Sequence, residues 1–107
     1  MTINPAPPVT SKADLLLRLK AVEPAIRVLG VRRLGLFGSF RRDQPTPESD
    51  IDLYVEFVPG EATFDHFMDL SFLCEDRCGR RVEIVTPHSI SPYLAPHILA
   101  DIEYVLR

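Results

Sequence analysis

From Ser11 onward, apolar and polar positions alternate between two periods, one helical and one extended. Leu15, Leu16, Leu19 and Val22 recur at helical spacing. Ser11 precedes them, with Asp14 three residues later, which is close to a capping box with Asp in place of Glu or Gln. Pro24 either ends or kinks this helix or opens a second short one at its first turn. Ala25, Ile26 and Leu29 then continue an apolar face to Gly30, a C-terminal stop. Val31 to Phe37 has the composition of a strand and is closed by Gly38. Arg41 to Ser49 is polar, contains Pro45 and Pro47, and predicts a loop after one helical turn at most. Ile51 to Val58 predicts a second strand, rich in β-branched and aromatic residues, and Pro59-Gly60 a turn. Thr63 can cap a helix carrying Phe64, Phe67, Met68, Leu70 and Cys74, with Gly79 ending it. Arg81 to Thr86 predicts a third strand, closed by Pro87. Pro92 and Pro96 bracket a turn before a last helix with Leu94, Ile98, Ile102 and Val105 on one face. The expected fold is α/β (α+β), a small mixed three-stranded sheet flanked by helices.

A chain of 107 residues is the size of one domain. Residues 1–9, with Pro5, Pro7 and Pro8, are expected to form a flexible tail, and residues 10–107 a single domain. Apolar residues make up 46% and charged residues 25%, which excludes a disordered chain. No apolar run approaches the ~20 residues that span a membrane. Met1 to Val9 has no basic residue and no long apolar stretch, so no signal peptide is expected and a cytoplasmic location is. Cys74 and Cys78 therefore read as two small apolar side chains on a half-buried helix face, not as a disulfide or metal pair.

The net charge of −3 is unevenly divided. Residues 1–42 hold eight Lys/Arg against two Asp/Glu, and residues 43–107 four against thirteen. Such a division suits a site that handles phosphates and metal together, or a polar partner surface. The acidic balance argues against a general nucleic-acid binder.

Two segments carry candidate chemistry. In Leu36-Phe37-Gly38-Ser39 an apolar strand ends in Gly-Ser. Gly38 allows close backbone approach to a ligand, Ser39 offers a hydroxyl, and free N–H groups at a helix start favour phosphate. In Asp50-Ile51-Asp52-Leu53-Tyr54-Val55-Glu56-Phe57, strand alternation puts Asp50 and Asp52 on one face and Ile51, Leu53 and Val55 on the other. Like charges about 4 Å apart repel by roughly 4 kcal/mol at an effective dielectric near 20. A hard cation such as Mg²⁺ removes that repulsion. Either segment alone has a plainer reading, a strand-ending turn or a solvated acidic pair. Glu83, inside the apolar strand Arg81 to Val85, adds a third carboxylate if that strand lies beside the second one. The three would then suit a two-metal site for phosphoryl or nucleotidyl transfer. Otherwise Glu83 is a cross-strand partner of Arg32 or Arg33.

Gly38-Ser39, ten intervening residues, and Asp50-Ile51-Asp52-Leu53 resemble the pattern of the minimal nucleotidyltransferases (MNT) of the DNA polymerase β superfamily, with a third acid on a later strand. The motif match runs from about Leu34 to Val85. The resemblance implies a polymerase β-type nucleotidyltransferase fold. It implies that Gly38 and Ser39 hold the β- and γ-phosphates of ATP, that Asp50 and Asp52 bind two Mg²⁺ ions, and that Glu83 is the third ligand. Asp50, Asp52 and Glu83 would form the catalytic centre. Family members usually carry Asp at that last position. Many also have a basic residue directly after Gly-Ser and a glycine three residues further on. Here those positions are Phe40 and Asp43, and Arg41 and Arg42 can supply the charge, Arg42 foremost. Phe40 is left open between stacking and packing.

Small members of this family commonly act as the antitoxin of a pair with a HEPN-domain ribonuclease toxin. The resemblance implies transfer of AMP from ATP to a tyrosine of that protein partner, in an assembly with it. A second reading is a binding antitoxin with a degenerate site, motivated by Glu83 and Phe40. A third, a transferase of antibiotics or other small molecules, lacks a second domain. His66, His88 and His97 are scattered and have no ligand spacing. The Arg32-Arg33 and Arg80-Arg81 pairs read as strand flanks. Tyr54 shares a face with Asp52, but a packing role fits it better. Phe64, Phe67 and Phe72 read as core or interface residues.

Overall fold

A computed structural model describes residues 6–107. Ser11 caps α1 (Lys12–Ala21), its hydroxyl accepting the Asp14 amide at 3.1 Å, as the capping pattern predicts. Pro24 sits in the first turn of α2 (Glu23–Val28), where its missing N–H costs nothing. Strand β1 (Val31–Phe37) runs directly into a single turn, α3 (Gly38–Arg41). After a loop come β2 (Ile51–Phe57), α4 (Phe64–Cys78), capped by Thr63 and ended by left-handed Gly79, and β3 (Val82–Val85). The chain closes with α5 (Ala95–Asp101) and β4 (Glu103–Leu106).

The sheet has four strands in the order β3-β2-β1-β4, not the three expected. Strand β1 is antiparallel to β2 and β4, whereas β2 and β3 are parallel, joined by the crossover helix α4. The difference lies in the expected last helix. It ends at Asp101, and residues 103–106 pair with β1, Leu34 facing Leu106 and Gly35 facing Tyr104. Helical spacing of Ile102 and Val105 is outweighed by the free edge of β1 and by Gly35. A side chain at Gly35 would meet the Ile102 Cγ2 at 2.5 Å, so its absence makes room for the last segment. Leu94, expected on one helix face with Ile98, Ile102 and Val105, caps α5 and is 56% exposed.

One face of the sheet holds the core. Leu34, Leu36, Ile51, Leu53 and Val55 pack there with Leu15 and Leu19 of α1, Ile26 of α2, and Leu70 and Cys74 of α4. Both cysteines are buried and unpaired, their thiols pushed up by burial to about 12 (Cys74) and about 11 (Cys78), in keeping with the packing reading. Phe64 and Phe72 are exposed, so of the α4 aromatics only Phe67 is partly covered. Residues 1–5 of the expected tail lie outside the described residues. The part that is described is tied down. The Ala6 amide bonds the Asp76 carbonyl and the Val9 amide the Cys78 carbonyl, and Val9 is buried in the core.

Candidate active site

The opposite face of the sheet carries the candidate site residues. Register, not proximity in sequence, assembles them: Asp52 faces Phe37 across β1 and Glu83 across parallel β3. Residues paired in this way point to the same side of the sheet. Thus Glu83 does lie beside Asp52. Neither Arg32 nor Arg33 is a cross-strand partner of Glu83, because β2 lies between β3 and β1. Arg33 is paired instead with Glu56, at 2.6 Å, with Tyr104 stacked beneath its guanidinium and donating its hydroxyl to the same carboxylate.

Gly38 follows Phe37 with φ +79, a conformation that side chains avoid. A Cβ there would stand 2.2 Å from the Asp52 Oδ2. The turn therefore lies directly against the carboxylate, and only glycine satisfies both constraints. Asp50 precedes β2 by one residue, so it stands beside the strand, not within it. Asp52 is half-buried, Asp50 is partly exposed and Glu83 is exposed. Burial first, then the charges of Glu83 and Asp50, raise the Asp52 carboxyl to about 6, against a smaller opposing effect of Arg42. A carboxylate destabilised by burial and two neighbouring anions is the environment that a cation relieves. Hard oxygen donors suit Mg²⁺. Among the described residues, however, no three acidic, His or Cys side chains are already drawn together as a ligand set. Asp50, Asp52 and Glu83 would have to turn their carboxylates inward to hold an ion.

Two clefts flank Phe37 and Ile98. One, of about 320 Å³, is lined by Asp52, Glu83 and residues of the segment before α5, including Ser89 and Leu94. The other, of about 390 Å³, is lined by Gly38, Arg42, His97 and Asp101. Ser39 is in the first turn of α3, partly exposed beside Gly38. Arg42 directs a guanidinium N–H to Asp101 at 3.1 Å, and the Gly38 amide donates to the same carboxylate oxygen at 2.9 Å. The Arg41 Nε is buried without a hydrogen-bond partner, 3.8 Å from the other Asp101 oxygen. The structure thus brings Gly38 and Arg42, two of the three residues expected to bind phosphate, together on Asp101, whereas Ser39 is not among the residues that line either cleft.

Phe40 is fully buried, so it packs and does not stack on a ligand from solvent. Asp43, at the position where many family members have glycine, takes φ +54, and its side chain accepts the Lys12 amide. Aspartate tolerates this conformation better than most residues. Tyr54 is buried, a packing role. His66 bonds the Glu61 carbonyl, and His88 lines a cleft with Phe57 and Thr86 at the other end of β2. Only His97 reaches the site clefts.

Arg80 is more than a strand flank. It bonds the carbonyls of Thr46 (2.9 Å), Pro47 (3.3 Å), Ser49 (2.9 Å) and Val9 (2.6 Å) and lies over the Phe40 ring. It thereby fixes the loop that delivers Asp50. No local pattern around residue 80 announces this, because all four partners are backbone carbonyls distant in sequence.

A parallel strand pair carrying facing acids thus lies next to a glycine turn with converging basic groups. Residues 25–107 match the family model described as polymerase beta, nucleotidyltransferase, and the chain belongs to this family. Among its relatives is a protein of Methanocaldococcus jannaschii named as a candidate protein adenylyltransferase, 34% identical over 81% of this chain and 92% of its own length. Another is the protein adenylyltransferase MntA of Thermococcus cleftensis, 33% identical over 71% of this chain and 76% of its own. A solved structure described as a candidate minimal nucleotidyltransferase superposes with a TM-score of 0.77 at 30% identity, covering 87% of this chain and 94% of the other. The complex of tri-AMPylated Shewanella oneidensis HEPN toxin with MNT antitoxin contains a chain matching with a TM-score of 0.62 at 17% identity, over 85% of this chain and 71% of that one, and shares the fold.

Proposed function

We propose that this chain is a Mg²⁺-dependent adenylyltransferase that moves AMP from ATP to a tyrosine hydroxyl of a HEPN-type toxin in the cytoplasm, and so acts as its antitoxin. The observation that carries this reading is the facing register of Asp52 and Glu83 beside the Gly38 turn. The names of the relatives and of the toxin–antitoxin structural neighbour support the choice of acceptor.

In this reading the Gly38 amide, Ser39 and Arg42 hold the phosphates of ATP. Asp50, Asp52 and Glu83 are the residues that would hold the metal. When bound, Mg²⁺ supplies positive charge to the triphosphate and acidifies the attacking hydroxyl. The tyrosine oxygen forms a bond to the α-phosphorus, the bond to the bridging oxygen of the β-phosphate breaks, pyrophosphate leaves, and the phenolic proton passes to solvent. The clefts on either side of Phe37 and Ile98 are open, so the acceptor can arrive from a second chain. Incubation of the isolated toxin with this protein, ATP and Mg²⁺ tests the reading by the mass of the toxin. A gain of whole AMP units that disappears with Asp52→Asn supports it. An unchanged mass under conditions of complete binding refutes it.

A second reading, a binding antitoxin that neutralises its partner by complex formation, is favoured by one observation. Glu83 is exposed and one methylene longer than the aspartate usual in the family, and no ligand set is drawn together around it. This reading expects tight complex formation with no change in mass.

A further inference from the structure

Asp101 is the last residue of α5, where the carbonyl ends of the helix disfavour negative charge. Its carboxylate nevertheless accepts from the Gly38 amide and the Arg42 guanidinium, with Arg41 behind. These are the groups that would receive phosphate in the reading above. A carboxylate and a phosphate oxygen present the same hydrogen-bond acceptor to an amide and a guanidinium. Both cannot occupy the Gly38 N–H.

The element that carries Asp101 is suited to moving. Helix α5 has seven residues, no side-chain cap and no fully buried residue. Few buried contacts mean a low local opening cost. The chain beyond it is fixed, because β4 pairs with β1. On the near side of that anchor, Ile98 of α5 borders both clefts.

We propose that Asp101 is a built-in phosphate surrogate, an autoinhibitory contact that holds the Gly38 amide and Arg42 until the phosphates of an incoming nucleoside triphosphate displace it. The proposal rests on the reading of the Gly38 turn as the phosphate site. It means that the free protein is closed to weak anions and opens for a ligand with several phosphates. Binding of such a ligand carries α5 away from the turn.

The test compares the affinity of the full chain and of Asp101→Asn for the non-hydrolysable ATP analogue AMP-PNP with Mg²⁺. Asparagine keeps the shape and an acceptor for Gly38 but removes the charge that competes with phosphate. Loss of a partly exposed ion pair converts to about fivefold tighter binding. Equal or weaker binding by the variant would overturn the proposal and make Asp101 a residue that merely holds the turn. A second readout uses the wild-type chain alone, so it stands even if the variant fails to fold. The carboxyl-carbon NMR resonance of Asp101 shifts when Mg²⁺ and AMP-PNP are added if the contact breaks, and a resonance that stays in place overturns the proposal. If neither protein binds AMP-PNP, the phosphate-site reading itself falls, and the surrogate with it. Binding with no preference for Asp101→Asn removes the surrogate alone.

Discussion

The space that Gly38 leaves open is filled by Asp52: a Cβ on Gly38 would lie 2.2 Å from the Asp52 Oδ2. The turn is therefore packed directly against the carboxylate, so that a side chain on Gly38 would displace it. Gly38→Ala should be destabilised by about 1–3 kcal/mol, because φ +79 strains a side chain and the methyl group displaces Asp52. Displacement of about 1 Å should lower transfer about 100-fold. Urea denaturation and initial rates check both. Full activity in a stable Gly38→Ala protein would show that the close approach is not functional.

Asp52 should cost the metal-free fold stability at neutral pH. Its folded value, about 6, lies above the ordinary value of the unfolded chain, the reverse of a carboxylate in a salt bridge. Below about pH 4 the group is protonated in both states and contributes nothing. Between about pH 4 and 6 the folded state binds more protons, so stability falls as pH rises, and above that the cost is full. Solvent exposure of the half-buried group reduces the cost to about 1 kcal/mol. In the presence of a chelator, Asp52→Asn should therefore be more stable by about that amount at pH 7.5 and no more stable near pH 4. Denaturant midpoints at the two pH values measure this. Added Mg²⁺ should stabilise the wild type at pH 7.5 and leave Asp52→Asn almost unaffected.

Glu83 separates the catalytic reading from the binding one. Glu83→Asp shortens the side chain to the length usual in the family and keeps the charge, so Mg²⁺-dependent transfer should persist. Glu83→Gln removes a carboxylate facing Asp52 and should lower transfer at least about tenfold, with binding of the partner unchanged. Equal rates for the wild type and Glu83→Gln would take Glu83 out of the site.

Arg80→Met keeps an apolar stem over Phe40 and removes four hydrogen bonds to carbonyls. The loop ahead of Asp50 should loosen, with a loss of about 1–3 kcal/mol and faster amide exchange at Ser49 and Ile51. A variant with wild-type exchange there would mean that the loop is held by other contacts.

Part of the site was legible because Asp52 and Glu83 obey strand parity, whereas Asp50 lies one residue before β2. The alternation of Asp50-Ile51-Asp52-Leu53, with the apolar neighbours of Glu83, sufficed to expect the acids on one face, and the parallel β2–β3 register places Asp52 opposite Glu83. Strand β4 was not legible. Four residues after a short helix fit either period, and what decides is the free edge of β1 together with Gly35. Asp101 was missed because its partners lie about sixty residues earlier in the chain. One signal was available, an acid at a helix C-terminus, where charge of that sign needs an explanation. Phe40 could not be assigned from sequence, since its burial depends on how α3 folds back over β2.

The proposed AMP transfer depends on the carboxylates around Asp52. The most direct measurement is the intact mass of the toxin after incubation with this protein, ATP and Mg²⁺, with Asp52→Asn alongside. A gain of whole AMP units is expected with the wild type and none with the variant. A tight complex whose toxin keeps its mass, or a gain that persists with Asp52→Asn, would contradict it.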